Sequence, residues 1–143
     1  MLTALDTNVL LDILIPNEAF ADCAEAALEA SALDGLLVVC DIVYAEICSQ
    51  FTTQKECDFF FSDNRIRVEP SNREALFMAS RVWRRYRKEG GKRARILPDF
   101  IVGAHAQAQA NRLISRDRGF YRSSFPNLTV CDPSVDFKDS ACD

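Results

Sequence analysis

The sequence predicts an α/β fold built on a mostly parallel sheet covered by helices on both faces. Three observations predict it. Short apolar runs alternate with longer amphipathic segments along all 143 residues. Each short run is bounded by Gly, Asp, Asn or Pro, the residues that end strands. Strands separated by helix-length crossovers pair in parallel, because each crossover returns the chain to the same end of the sheet.

The series opens on the strand candidate LTALD (2 to 6). NEAFADCAEAALEASALDG follows, an Ala- and Glu-rich helix stopped at Gly35. LLVVC (36 to 40) is the second strand, after which Asp41 stands where it can cap the helix holding IVYAEICSQF. RIRVE (65 to 69) is the third. Ser71 and Glu74 then show the S-x-x-E spacing of a capping box at the next long helix. In that helix Ala75, Met78, Ala79, Val82, Trp83 and Tyr86 recur at intervals of three and four, a face expected to dock on the sheet. The helix in ILPDFIVGAHA starts at Leu-Pro-Asp. Pro98 suits the first helical position, where its missing N–H has no partner, and Asp99 falls in the first turn, where the helix dipole favours a carboxylate. RLISR (112 to 116) and LTVCD (128 to 132) complete the strands.

With 48% hydrophobic residues and no internal repeat, low-complexity tract or linker, the chain reads as one domain over 1 to 143 whose last stretch, 132 to 143, is a short acidic tail. MLTALDTNVLLDILIP has no basic leader, and Asp6 and Asp12 interrupt its apolar run. It is neither a signal peptide nor a membrane span, and a cytoplasmic location is expected. The six cysteines include no C-x-x-C pair and there is one His, so zinc is disfavoured and reduced thiols are expected. Cys23, Cys40 and Cys48 read as small core residues, and Cys142 as the exposed one. Net charge is −4, yet residues 81 to 95 carry eight Lys or Arg against one Glu, leaving nine basic against twenty acidic residues elsewhere. Such asymmetry lets an anion dock at one place. Arg81, Arg84, Arg85 and Lys88 recur at helical intervals, followed by Lys92, Arg93 and Arg95; the plain alternative is a solvated charged face.

In parallel sheets ligands bind beyond the carboxyl ends of the strands. Asp6 closes the first strand, Asp117 follows the fourth after one Arg, Glu46 lies on the helix after the second, and Asp99 starts the helix before the fourth. All four acids can therefore converge on one edge. Together they would repel and have raised pKa values unless a cation sat between them. Oxygen-only ligation points to Mg²⁺, with Mn²⁺ as a substitute, and such ions take phosphate oxygens as further ligands. Asp12 and Asp41 read as a solvated acid and a helix cap. His105, six residues past Asp99, faces elsewhere and reads as a packing residue.

ALDTNVLLDIL, VYAEI, ILPDFIVGAHA and LISRDRGFY, in this order, resemble the PIN-domain ribonucleases, specifically the VapC-like toxins of toxin-antitoxin pairs, over nearly the whole chain. The resemblance implies a three-layer α/β/α sandwich, metal-dependent endonucleolytic cleavage of RNA by metal-activated water, a homodimer, and inhibition by a cognate antitoxin. By position it implies that Asp6, Glu46, Asp99 and Asp117 are the catalytic, metal-binding acids, with Thr7, Asn8 and Ser115 in support. The basic residues would then contact RNA. Where many relatives carry a further acid two residues after the fourth, this chain has Gly119.

Two other classes compete with this reading. Asp6 in LDTNV has the placement of an aspartyl phosphotransferase nucleophile, but such enzymes use a second Asp two residues on, and Asn8 cannot exchange that proton. A silent RNA- or partner-binding module would be favoured by loss of one of the acids, and all four are present.

Overall fold

The computed structural model describes residues 1–91 and 95–137. Lys92, Arg93 and Cys142 lie outside the described residues. The elements are β1 (Leu2–Leu5), α1 (Thr7–Leu14), α2 (Ala21–Asp34), β2 (Leu36–Val39), α3 (Asp41–Cys48), α4 (Gln54–Asp63), β3 (Ile66–Val68), α5 (Arg73–Lys88), α6 (Leu97–Gln109), β4 (Arg112–Ile114), α7 (Arg118–Ser124), β5 (Val130–Cys131) and α8 (Pro133–Asp136). The strands form one sheet in the order β3-β2-β1-β4-β5, every pair parallel. The expected α/β sandwich is observed, and each strand falls inside its predicted run.

The chain runs outward from β1 through β2 to β3, then crosses back to β4 on the other side of β1. Right-handed crossovers in the two directions place helices on opposite faces, which gives the three layers. The direction reverses between β1 and β4, so the connections leaving their carboxyl ends run to opposite sides and leave a crevice between them. The core fills both faces of the central strands: Ala4, Leu5, Val38, Val39, Leu113 and Ile114 are buried in the sheet, and Val9, Val43, Ile47, Phe100 and Phe125 close over it. Gly103 makes one of these closures possible. A Cβ there would fall 2.7 Å from Phe125 Cδ2, so only hydrogen fits between α6 and that ring.

Several local expectations are corrected. The apolar face of α5 packs chiefly on α6 and not on the sheet, because α6 already occupies the ground over β4. Asn72, and not Ser71, caps α5, its Oδ1 accepting from Ala75 N at 2.8 Å. Ser71 is used elsewhere: its N and Oγ donate to Asp41 Oδ1 at 3.1 and 2.9 Å. Asp41 therefore ties the β3–α5 loop to α3 and is not a cap, the cap position being Cys40. Asp12 is not a solvated acid but 4% exposed, gripped by Arg116. The start of the tail is folded: Asp132 caps α8 through Ser134 N at 2.9 Å, Pro133 pre-sets the first turn, and Phe137 is buried against the core. Cys48 and Cys57 form a disulfide, their Cα atoms 5.4 Å apart, because α3 and α4 bring two residues nine positions apart face to face. Cys23 is only partly buried, whereas Cys40 is buried and its thiol is pushed up to about 11 by loss of water.

Candidate active site

β1 ends at Leu5, and the Asp6 backbone N–H still reaches across to Ile114 O at 3.0 Å, so the ends of β1 and β4 are locked side by side. Asp6 caps α1, its Oδ1 accepting from Thr7 N at 2.8 Å. Its Oδ2 accepts from Ser115 Oγ at 2.8 Å and Tyr121 OH at 3.0 Å. Asn8 spans the same gap: its Nδ2 donates to Ser115 Oγ at 3.3 Å and its Oδ1 accepts from Arg116 N at 3.2 Å. Ser115 Oγ also accepts from Asp117 N at 2.9 Å, which fixes the turn that carries the fourth acid. Asp99 is the third residue of α6, and its Oδ2 accepts from Ile96 N at 3.0 Å. The helix-start role is thus real and coexists with a place in the pocket.

Asp6, Glu46, Asp99 and Asp117 line one pocket of about 260 Å³ with Thr7, Asn8 and Tyr121, and Leu11 and Val102 supply its apolar wall. The predicted acids are therefore brought together, from the ends of β1 and β4 and from α3 and α6. Asp6 is buried, Asp99 and Asp117 are partly buried, and Glu46 stands exposed at the rim. Burial raises the Asp6 carboxyl, against the pull of its Ser115, Thr7 and Tyr121 hydrogen bonds, and Asp117 adds repulsion. Glu46 is raised as well, by partial loss of water first and then by the charges of Asp6 and Asp99. Burial and the neighbouring Asp6 charge keep the Tyr121 phenol protonated, so it remains a donor.

The donor set fits a hard cation. Two of the acids are held above their ordinary range, a state that a positive charge between them would relieve. Thr7 Oγ1 is buried at the pocket without a well-formed hydrogen bond, though near enough to Glu46 to favour its ionised form. Among the described residues no three acidic, His or Cys side chains close into a ready-made cage.

The remaining candidates lie elsewhere. His105 is 1% exposed, with Nε2 lacking a partner, and burial lowers its pKa, so it is a neutral core residue. Arg81, Arg84, Arg85 and Lys88 are exposed on α5 and none of them lines the acid pocket. Arg95 alone of the described basic candidates reaches it, as an ion pair with Asp117. Three participants were not foreseen. Tyr121 stands four residues after Asp117, one turn along α7, a spacing that points back to the same edge. Asp12 and Arg116 brace the pocket from behind, and nothing in their local sequence links them.

Fold and site together define a three-layer α/β/α protein with an acid-lined pocket where the strand order of a parallel sheet reverses. The chain belongs to the PIN domain family, whose sequence model matches residues 3–126. No curated protein matches it. Among solved structures it is similar to VapBC-1 from nontypeable Haemophilus influenzae, with TM-score 0.71 and 19% identity over 94% of this chain and 99% of that one. It is also similar to VapBC2 from Rickettsia felis, a structure bound to a DNA fragment from its promoter, with TM-score 0.69 and 21% identity over 92% and 98%. A toxin-antitoxin complex from Klebsiella pneumoniae gives TM-score 0.64 and 20% identity over 92% and 97%. At these identities the likeness is one of fold.

Proposed function

We propose that this chain is a metal-dependent endoribonuclease, the toxin of a toxin-antitoxin pair, formed as one domain over residues 1 to 143. One observation carries the reading: four carboxylates from separate elements meet in one pocket at the sheet's reversal point, with the most buried held above its ordinary pKa. Nuclease activity is general among PIN domains, and the similar structure from Klebsiella pneumoniae is a toxin-antitoxin complex. Asp6, Glu46, Asp99 and Asp117 would hold Mg²⁺, or Mn²⁺ in its place. When bound, such an ion supplies a water of lowered pKa and screens charge on the phosphoryl oxygens. The chain's own residues do the positioning. Ser115, Tyr121 and the Thr7 N–H fix both oxygens of Asp6, and Asn8 ties β1's end to the turn bearing Asp117. Leu11 and Val102 limit water on one side. Partners are RNA, a cognate antitoxin and a second copy of the chain, in the cytoplasm.

The test is cleavage of RNA by the purified protein, with and without chelation, beside the Asp99→Asn variant. Wild type should cut to 5′-phosphate and 3′-hydroxyl ends, stop in EDTA and recover with Mg²⁺ or Mn²⁺. Asp99→Asn should be folded and inactive. Cleavage indifferent to EDTA, or near wild-type rates from the folded variant, would overturn the assignment.

A further inference from the structure

At the edge of the acid pocket stands a cation belonging to the chain, paired with one of the lining acids. Arg95, just ahead of α6, sets its Nη1 on Asp117 Oδ2. Its guanidinium lies over the Phe120 ring, 4.2 Å from the centroid. That ring is held in turn, edge-on to Phe100 and to Tyr121 at centroid distances of 5.3 and 5.0 Å. The arginine is therefore seated on a fixed aromatic shelf with its charge directed at the pocket. The hydrogen bond to Asp117 raises its pKa further, and attraction to Asp117 and then to Asp99 adds to this, so two of the four acids feel it. Yet the side chains of Arg95 and Asp117 remain 31% and 35% exposed, so water and ions reach the pair.

We propose that Arg95 is an on-chain counter-ion that competes with a divalent cation for Asp117, so that filling the pocket requires the guanidinium to release that carboxylate. The inference rests on reading the pocket as a cation site. Its physical basis is simple. A monovalent cation on one ligand weakens the binding of a second cation by charge repulsion and by occupying an oxygen, and the weakening is reciprocal. The shelf on Phe120 holds the guanidinium in place, so the competitor does not have to be recruited from solvent. A pair open to water on one side couples modestly, so the effect on cation affinity should be about three- to tenfold.

The test is calorimetric titration of the full chain with MnCl₂, without RNA, for wild type, Arg95→Gln, Arg95→Lys, Asp117→Asn and the double variant Arg95→Gln/Asp117→Asn. Arg95→Gln should bind Mn²⁺ about three- to tenfold more tightly than wild type. Arg95→Lys keeps the charge but loses the flat fork that pairs and stacks, and should gain less. In the Asp117→Asn background the gain from Arg95→Gln should shrink, because the contested ligand is gone. Unchanged or weaker Mn²⁺ binding by folded Arg95→Gln would overturn the inference while leaving the cation site intact, as would a gain undiminished by Asp117→Asn. Absence of Mn²⁺ binding in every protein, Arg95→Gln included, would instead bring down the nuclease reading and this inference with it.

Discussion

Replacing Arg116 by Met should destabilise the fold more than replacing its partner Asp12 by Asn, and the two changes together should cost less than their sum. The structure sets the asymmetry. Arg116 meets Asp12 through two bonds, Nε to Oδ2 at 2.6 Å and Nη2 to Oδ1 at 3.0 Å, and its guanidinium lies 4.1 Å from the Phe20 ring centroid. The acid's side chain is 5% exposed and the arginine's 29%. Removing Arg116 strands a carboxylate that water barely reaches. Breaking a buried pair costs 3–5 kcal/mol, and the solvent open on the arginine side brings the expectation to about 2.5 kcal/mol. Asp12→Asn leaves an arginine that keeps its aromatic neighbour, some solvent and one acceptor, at about 1 kcal/mol. The double variant leaves no buried charge and should fall short of the additive cost by about 1.5 kcal/mol. Urea unfolding followed by circular dichroism, analysed as a double-mutant cycle at constant m-value, measures all three. Strict additivity, or a larger loss from Asp12→Asn than from Arg116→Met, would refute the reasoning. The brace also matters to the site, because Arg116 N bonds Asn8 and the next residue is Asp117.

In EDTA, Asp6→Asn should be more stable than wild type at neutral pH and lose this advantage as pH falls. Burial raises the Asp6 carboxyl. Such a group's stabilising contribution is fully present below its unfolded value and is lost as pH rises through the folded one. Urea unfolding across that range checks it, and a difference independent of pH would count against it. Neutralising Arg84, Arg85 and Lys88 together should weaken RNA binding and flatten its salt dependence by about 0.7 per lost phosphate contact, with turnover recovered at saturating RNA. Filter binding at several salt concentrations decides, with antitoxin binding measured in parallel. Unchanged affinity and slope for RNA would leave the stripe as a solvated face, or as a partner surface if only antitoxin binding fell.

The sequence by itself determined the strands, their parallel arrangement and the placement of the four acids, because each of these is written locally. Apolar runs and turn residues mark the strands, and a carboxylate at a strand end or in a helix's first turn is read from its immediate neighbours. Tertiary structure decided which groups meet. Ser115 reaches Asp6 across 109 positions and Arg116 reaches Asp12 across 104, so no local pattern could announce either bond. Competition between partners was equally out of reach: Ser71 has the spacing of a cap, but Asp41 from another element takes it and Asn72 caps instead. Arg95 belongs in sequence to a basic stripe, yet its fate depends on Phe120 and Asp117, which only the folded chain brings to it. Periodicity and turn chemistry act over a few residues, whereas hydrogen bonds and charges are satisfied by whatever the packed core places within about 3 Å of them.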